Sequence, residues 1–597
     1  MDQDQAVLAP ALSPVESHKD EILEGLREHD ALIVVAPTGT GKSTQIPIML
    51  LDIAELVIVT QPRRVAAEAL ARRVSIEQKS ILGELVGFQT ATKAMRSLNT
   101  RILYCTDGIE VLHQLHSKTS PQETIYVIDE VHEWNENLEV LIAWFKYLID
   151  DGEPVKLVIL SATVEADRLS EFFNNAPIIN CEGKKFPIRD LEHSGGVVSA
   201  AVRLLKRGLN VLVFVPGKQE IRETISGIMR TDVKAKCLPF HADLGADDVS
   251  WVFESFDEPK CVVATTIAQT SLTIPDIDAV VDSGLERGNE YKHGVEGLYT
   301  KPTSLAERTQ RRGRAGRTKP GIYIDCLKVP GLEERDKFST PAINRHELSG
   351  MVLQILAAGY DPETFAFFHE PDPGRLEEAR QTLSHLGFLD QNRRLTRKGK
   401  QAARLPVPPR AARMVLEAVD DENRTVDYNA VTLATLFSHT SSLEFKTDEG
   451  RELIMTNYDE VGVSDAFMHL KTYDAACLVP IHLLSTYGIE RTTFDRLKEH
   501  RSEIVDRLMR MGYAETNAHS RLDTRYVVAG LSDLVFTRSK VSSDYTREGT
   551  ETTPRKLPHR STITAERIVG MPWNFETHTD MGPVVRRLLL WATVIPD

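Results

Sequence analysis

Short apolar runs, parted by polar stretches with helical spacing, fill the first half of the chain. The first series is ALIVVA (31–36), ELVIVT (55–60), RILYCT (101–106), TIYVID (124–129) and KLVILSA (156–162). A second follows with NVLVFVP (210–216), CVVATT (261–266), AVVDSG (279–284) and GIYIDC (321–326). Near-continuous β-branched runs of this length predict strands buried on both faces of a parallel sheet, with helices between them. Two series predict two α/β domains in tandem, meeting near residue 183. No short-period repeat is evident. After about residue 340 the spacing turns helical. In HELSGMVLQILAAG (346–359), Leu348, Met351, Val352, Ile355 and Leu356 share a face, and Gly359 is a stop. RLEEARQTLSHLGFLD (375–390) predicts a helix, and LTRKGKQAARLP (395–406) a turn-rich basic stretch. Residues 402–515 read as mostly helical. From about 525 short strands return around a Thr-rich loop (545–562), which predicts a small closing β domain.

At 597 residues the chain is too long for one core. Its 42% hydrophobic and 26% charged residues are those of a soluble globular protein, with no run long enough for a membrane span. The first residues, MDQDQAVLAP, lack the layout of a signal peptide. Six scattered cysteines suggest neither a zinc site nor a disulfide framework, so a reducing compartment is expected, cytoplasmic or, in a eukaryote, nuclear. The net charge of -15 argues against a non-specific nucleic-acid binder but permits a local basic groove.

APTGTGKST (36–44) follows the first run and precedes a helical stretch. Such a loop turns backbone N–H groups inward around phosphate oxygens, and Thr38, Gly39, Thr40, Gly41, Lys42, Ser43 and Thr44 are the candidate contacts. Lys42 would reach the β and γ phosphates. Ser43 would ligate Mg²⁺. A chance glycine-rich turn is the rival; the strand before it and the complete Gly-Lys-Ser argue against one. In VIDEVH (127–132), Asp129 is the candidate for the metal and Glu130 for general-base work, with both carboxylates in the metal's neighbourhood. His132 could equally be structural. QRRGRAGR (310–317) carries four arginines in eight residues, with small Ala315 and Gly316 between the last two. A solvated charged face is the plain reading of such a run, and an RNA-binding stripe another. The small spacers favour close backbone approach, and no aromatics interleave as a stripe for bases would need.

In their order, these motifs resemble the DEAH-box branch of superfamily 2 helicases. TQPRRVAA (60–67), TDG (106–108), DEVH (129–132), SAT (161–163), VFVPGKQEI (213–221), the stretch 264–284 and QRRGRAGR are similar to that family's motifs Ia, Ib, II, III, IV, V and VI. The resemblance covers nearly the whole chain. It implies two RecA-like domains, 1–182 and 183–340, then a winged helix (341–401), a helical ratchet-like domain (402–520) and a small OB-fold-like β domain (521–597). It implies that Gln310 faces the attacking water, that Arg314 and Arg317 are arginine fingers, and that Arg73 and Phe253 sandwich the base of ATP or another NTP. Arg63, Arg64, Thr106 and Thr270 would lie along RNA, and Ser161 and Thr163 would couple the two sites. Arg311 and Arg312 are assigned to packing or a domain interface. The expected partner is single-stranded RNA, or a duplex with a single-stranded overhang, for a monomer that moves 3′ to 5′, with an activator protein as a further partner.

The chain departs from the pattern at Thr266 and Gln269, where Asn and Glu are usual; losing that carboxylate predicts a looser link between RNA and nucleotide. Arg312 stands where a smaller residue is common. Residues 286–302 occupy the place of the strand-separating hairpin, and look short. The phosphate loop begins at residue 36, leaving little room for the N-terminal extension that eukaryotic members carry. Two alternatives remain at this stage: a P-loop ATPase of another class, such as a protein-remodelling enzyme, and an RNA scaffold or RNA-stimulated NTPase with weak or no unwinding.

Overall fold

The computed structural model describes residues 13–37, 40–91, 93–116, 123–161, 165–182, 186–241, 244, 246–269, 274–292, 294–317, 319–439, 443, 447, 462–516, 523–549, 553–559, 561–579 and 582–596. Strands β1 (Ala31–Val35), β2 (Leu56–Gln61), β3 (Val86–Gln89), β4 (Ala94–Met95), β5 (Ile102–Thr106), β6 (Thr124–Ile128), β7 (Lys156–Ser161) and β8 (Ile178–Asn180) form one sheet, ordered β4-β3-β5-β2-β6-β7-β1-β8. All neighbours are parallel except β3 and β4. Ile33, Ile58 and Ile159 enter one apolar core, while Leu32, Val34, Val57 and Leu160 enter the core on the other face. Both faces being covered, the strands need no alternation, which is why they read as continuous apolar runs.

A second sheet is built from β9 (Ile188–Asp190), β10 (Val211–Phe214), β11 (Lys236–Phe240), β12 (Lys260–Ala264), β13 (Ala279–Asp282) and β16 (Gly321–Asp325). Its order is β11-β12-β10-β13-β16-β9, parallel throughout. All nine runs singled out above are strands. The strands without an apolar run, β3, β4, β8, β9 and β11, lie at or next to a sheet edge.

Between β13 and β16, β14 (Leu285–Lys292) and β15 (Val295–Pro302) make an antiparallel hairpin with eight residues in each strand. The helical region contains helices Ser349–Ala357, Pro373–His385, Arg397–Ala402, Pro409–Glu417, Tyr428–Phe437, Asp465–Leu478 and Arg491–Arg510, with a small sheet of β17 (Val419–Asp420), β18 (Thr425–Val426) and β19 (Ala514–Glu515). Part of the stretch expected to be turn-rich is therefore helix Arg397–Ala402, capped by Thr396, whose hydroxyl accepts from Gly399 N.

The closing β region differs from expectation in two ways. After the helix Thr524–Gly530 it has short strands β20 (Val535–Arg538) and β21 (Tyr545–Arg547), but β22 (Arg567–Thr579) and β23 (Gly582–Val594) are thirteen residues each. Nor is the sheet separate. β15 runs parallel to β22, with Glu296 opposite Trp573 and Leu298 opposite Phe575, so the hairpin and the chain's last strands share one six-stranded sheet. The first domain is joined to the helical region by a common core: Leu138, Leu141, Ile142 and Phe145 pack with Leu348, Val352 and Phe365. Among the described residues no helix is long and apolar enough to cross a membrane.

Candidate nucleotide and nucleic-acid site

Parallel strands present their C-terminal ends along one edge, the usual place for a ligand in such sheets. Here the register sets Val35 beside Ser161, Thr60 beside Ile128, and Gln61 beside Thr106. The phosphate loop, Asp129, Glu130, Ser161 and Thr106 thus share that edge. Gly41 takes φ +90°, a conformation that favours glycine, and turns the chain into helix Lys42–Leu50. Pro47 lies inside this helix and has no N–H for the carbonyl of Ser43. That carbonyl instead accepts from the Tyr104 hydroxyl of β5 at 2.7 Å. Thr40 Oγ1 donates to the Pro37 carbonyl at 2.8 Å, and Thr44 Oγ1 to that of Gly41 at 3.2 Å. Thr38 and Gly39 lie outside the described residues, as do Thr163 and Thr270.

Lys42 is buried, and among the described residues its Nζ has no hydrogen-bond partner. It stands 3.5 Å from Glu130 Oε2, too long for a good hydrogen bond but close enough for charge to matter. Burial opposes ionisation of Glu130, yet Lys42, His132 and Arg314 outweigh it and hold the carboxyl at about 2. Asp129 goes the other way: burial, then the charge on Glu130, lifts it to about 6 against Lys42, Ser43 and Gln61. Its Oδ2 accepts from Gln61 Nε2 at 2.6 Å, and its Oδ1 from the Glu130 N–H at 2.8 Å. Burial lowers His132 to about 4, so its imidazole, 3.4 Å from Glu130, is neutral at pH 7. A buried ammonium beside an ionised carboxylate and a second carboxyl raised to about 6 suits a phosphate oxygen together with a divalent cation.

The arginine run divides by environment. Arg311, 1% exposed, donates from Nη1 to Asp282 Oδ1 at 2.8 Å and to the Leu285 carbonyl at 3.1 Å, and from Nε to Gln269 Oε1 at 3.3 Å. Arg312 holds the edge strand β9, donating to both Asp190 carboxylate oxygens and to the Ile188 carbonyl. Both are packing residues of the second domain. Arg314 is buried and donates from Nη2 to the Gln269 carbonyl. Burial and then the charge of Arg317 push its guanidinium well below the ordinary value, against Glu130. Burial alone lowers Arg317 to about 10, Glu130 again opposing. A pair of guanidiniums disfavoured in this way gains from an anion between them. The small spacer Gly316 has a cause: a Cβ there would come within 2.6 Å of the Ile188 side chain.

Gln310 is half-buried on the wall of a 650 Å³ cavity between the two domains, shared with His132, Gln269 and Arg63. Arg73 lies exposed on helix Arg64–Glu77, its Nε donating to Glu77 at 2.8 Å. Phe253 ends helix Ala246–Phe253, edge-on to Phe240 at 6.4 Å. Among the described residues, no hydrogen bond, ion pair or ring contact joins Arg73 to Phe253. Arg63 stands 3.4 Å from Glu133. Arg64 is exposed and faces the helical region, where its charge adds to burial in lowering His439, to about 4, and His500.

Three residues escaped the sequence reading. Gln61 orients Asp129; a polar residue closing a buried strand was the available signal. Glu133 is raised to about 7 by burial, against Arg63, and so joins a nucleic-acid candidate to the acids at the nucleotide site. Gln269 bonds both Arg311 and Arg314; only its departure from the motif had marked it.

The DEAD/DEAH box helicase model matches residues 16–172, and the helicase conserved C-terminal domain model residues 196–319. The chain is 34% identical over 441 residues to the ATP-dependent RNA helicase HrpA homolog of Haemophilus influenzae, covering 69% of this chain and 34% of that protein. It is 33% identical to HrpA of Escherichia coli, covering 68% and 33%. The chain belongs to the DEAH-box branch of superfamily 2 helicases. A further relative is the probable ATP-dependent RNA helicase DHR2 of Saccharomyces cerevisiae, 33% identical over 68% of the chain and 59% of that protein. The fold is similar to the crystal structure of the E. coli DExH-box NTPase HrpB, with a TM-score of 0.75 and 25% identity over 99% of this chain and 69% of that one. The match spans about a third of the length of the two bacterial HrpA proteins.

Proposed function

We propose that this DEAH-box chain hydrolyses ATP or another NTP in the cleft between its two α/β domains and uses it to move along single-stranded RNA, 3′ to 5′. The observation that carries the proposal is the position of Glu130. It lies between the Lys42 charge of its own domain and the Arg314 charge of the other, in a buried cleft. Lys42 and the loop 38–44 hold the phosphates, with Arg73 and Phe253 on either side of the base. Mg²⁺, held by Ser43, Asp129 and the phosphates with Glu130 nearby, would neutralise charge on the transferred group. Glu130, ionised across the physiological range, accepts the proton of the attacking water, which Gln310 orients. Arg314 and Arg317 meet the charge that spreads over the γ-phosphoryl oxygens. Because these arginines come from the second domain, cleft closure gates the reaction. Arg63, Arg64, Thr106 and Thr270 hold the RNA backbone, and Ser161 and Thr163 link the two sites.

We assign 341–401 to a winged helix, 402–520 to a ratchet-like domain and 521–597 to an OB-like fold. One observation favours a second reading, an RNA-stimulated NTPase with weak unwinding: the hairpin is bonded into the closing sheet through β15 and β22 rather than standing free. The test is NTP turnover with and without single-stranded RNA and DNA of defined length, beside unwinding of a duplex with a 3′ overhang. Stimulation by RNA supports the proposal, and unwinding separates its two forms. Turnover indifferent to every nucleic acid would sink both.

A further inference from the structure

Trp134 closes the short turn after Glu130 and His132, and Glu165 caps helix Ala166–Phe172 four residues after Ser161. The two meet: the indole Nε1 of Trp134 donates to Glu165 Oε2 at 2.8 Å. The same carboxylate accepts from Arg168 Nη1 at 3.0 Å and lies 3.8 Å from His369 Nε2. His369 turns Nδ1 to Glu139 Oε1, 2.7 Å away on helix Glu136–Asp150, and Glu139 is fully buried. The Trp134 ring stacks on Phe368 at 4.7 Å, planes 4° apart, and meets His369 edge-on at 4.6 Å. The Trp134 carbonyl accepts from the Ala342 N–H at 3.2 Å.

Packing alone could be met by apolar side chains. Here one carboxylate, following Ser161, is divided among a side chain that follows the nucleotide-site acids, an arginine on its own helix and a histidine from beyond the second α/β domain. A shift of any one alters its hold on the others, and such a network specifies one arrangement rather than a range. His369 Nδ1 is held by Glu139 and its Nε2 lies 3.8 Å from Glu165, both in the first domain, and its ring packs edge-on against Trp134, so His369 moves with Trp134 and Glu165.

We propose that Trp134 and His369, joined through Glu165, are positioning residues that transmit occupancy of the nucleotide site to the helical region and so to bound RNA. This rests on the reading of the chain as an RNA-stimulated NTPase. The test is the affinity of the full chain for a labelled single-stranded RNA, with and without Mg²⁺ and a non-hydrolysable ATP analogue. The parent should show a ratio of at least about fivefold, with the same factor in its nucleotide affinity with and without RNA. In Trp134→Phe, which keeps a stackable ring but no N–H, the ratio falls towards one while each single-ligand affinity stays parental. His369→Ala does the same, His369→Gln restores part of the ratio, and the double variant is no worse than either single. Should His369→Ala fail to fold, Trp134→Phe and His369→Gln carry the test. Variants that keep the parental ratio, or a parent whose ratio is one, overturn the inference. If RNA stimulates turnover in the parent and the variants still keep its ratio, this inference alone fails. If RNA does not stimulate the parent at all, the functional reading fails first.

Discussion

Replacing Arg311 by Met removes a guanidinium buried against Asp282, which is itself fully buried. Breaking such a pair from one side costs about 3–5 kcal/mol, because the other charge stays behind. Asp282 keeps two donors, the Tyr323 hydroxyl at 2.8 Å and the Gly284 N–H at 2.8 Å. That places the loss at the lower end, about 3 kcal/mol, or a fall of about 6–12 °C in the melting of a domain of this size. Adding Asp282→Asn should recover part of the loss, since the residual charge disappears. Arg314→Ala should do the opposite. Its guanidinium is held at a cost by burial and by Arg317, so the variant should melt no lower than the parent. The assay is thermal unfolding followed by circular dichroism, with proteolysis of the second domain alongside. An Arg311→Met protein that melts like the parent yet loses NTP turnover would move Arg311 from the core to the ligand and refute the division of the cluster.

Lys42→Ala should weaken nucleotide binding about 10- to 100-fold, the worth of roughly 1.5–3 kcal/mol for a charged hydrogen bond, as read by titration with a fluorescent nucleotide. Arg63→Ala or Arg64→Ala should reduce the log–log salt slope of single-strand binding by about 0.7 and weaken all sequences alike; a loss confined to particular bases would contradict backbone contact. His369 should stabilise the protein in a pH-dependent way. Burial opposes its charge, but Glu139 and Glu165 outweigh burial and raise the imidazole above its ordinary value. A raised histidine contributes fully below the unfolded value near 6.5 and loses its contribution as pH rises through the folded one. The gap in denaturation midpoint between parent and His369→Gln should therefore narrow from pH 6 to pH 8.5, and a gap that widens would contradict the pairing.

The two parallel sheets were legible because strands covered on both faces must be apolar at every position, as ALIVV and LVIV are. β9 and β11 were not, since edge strands need no such run. The hairpin was placed at 286–302 only through the family resemblance, and the thirteen-residue length of β22 was missed, for a related reason. They are held by long-range pairing between residues such as Glu296 and Trp573, which no local pattern encodes. At the site, Lys42, Asp129 and Glu130 declare themselves by spacing. The division of the arginines came from the resemblance and not from spacing: Arg311 and Arg314 are three residues apart in one motif, and their partners, Asp282 against Gln269 and Glu130, give the physical reason for it. Trp134 and His369 are 235 positions apart in sequence, so nothing in the chain alone announces their contact.

The account's central claim is that Glu130 and Arg314 act on one transferred phosphoryl group from opposite domains. RNA-stimulated ATP turnover of Glu130→Gln and Arg314→Ala, beside equilibrium binding of ATP and of single-stranded RNA, tests it most directly. The account predicts turnover lower by about 10²–10⁴-fold in the first and about 10³-fold or more in the second, with both affinities near parental. An Arg314→Ala protein that hydrolyses ATP at the parental rate but no longer holds RNA would contradict it and hand the arginines to the nucleic acid.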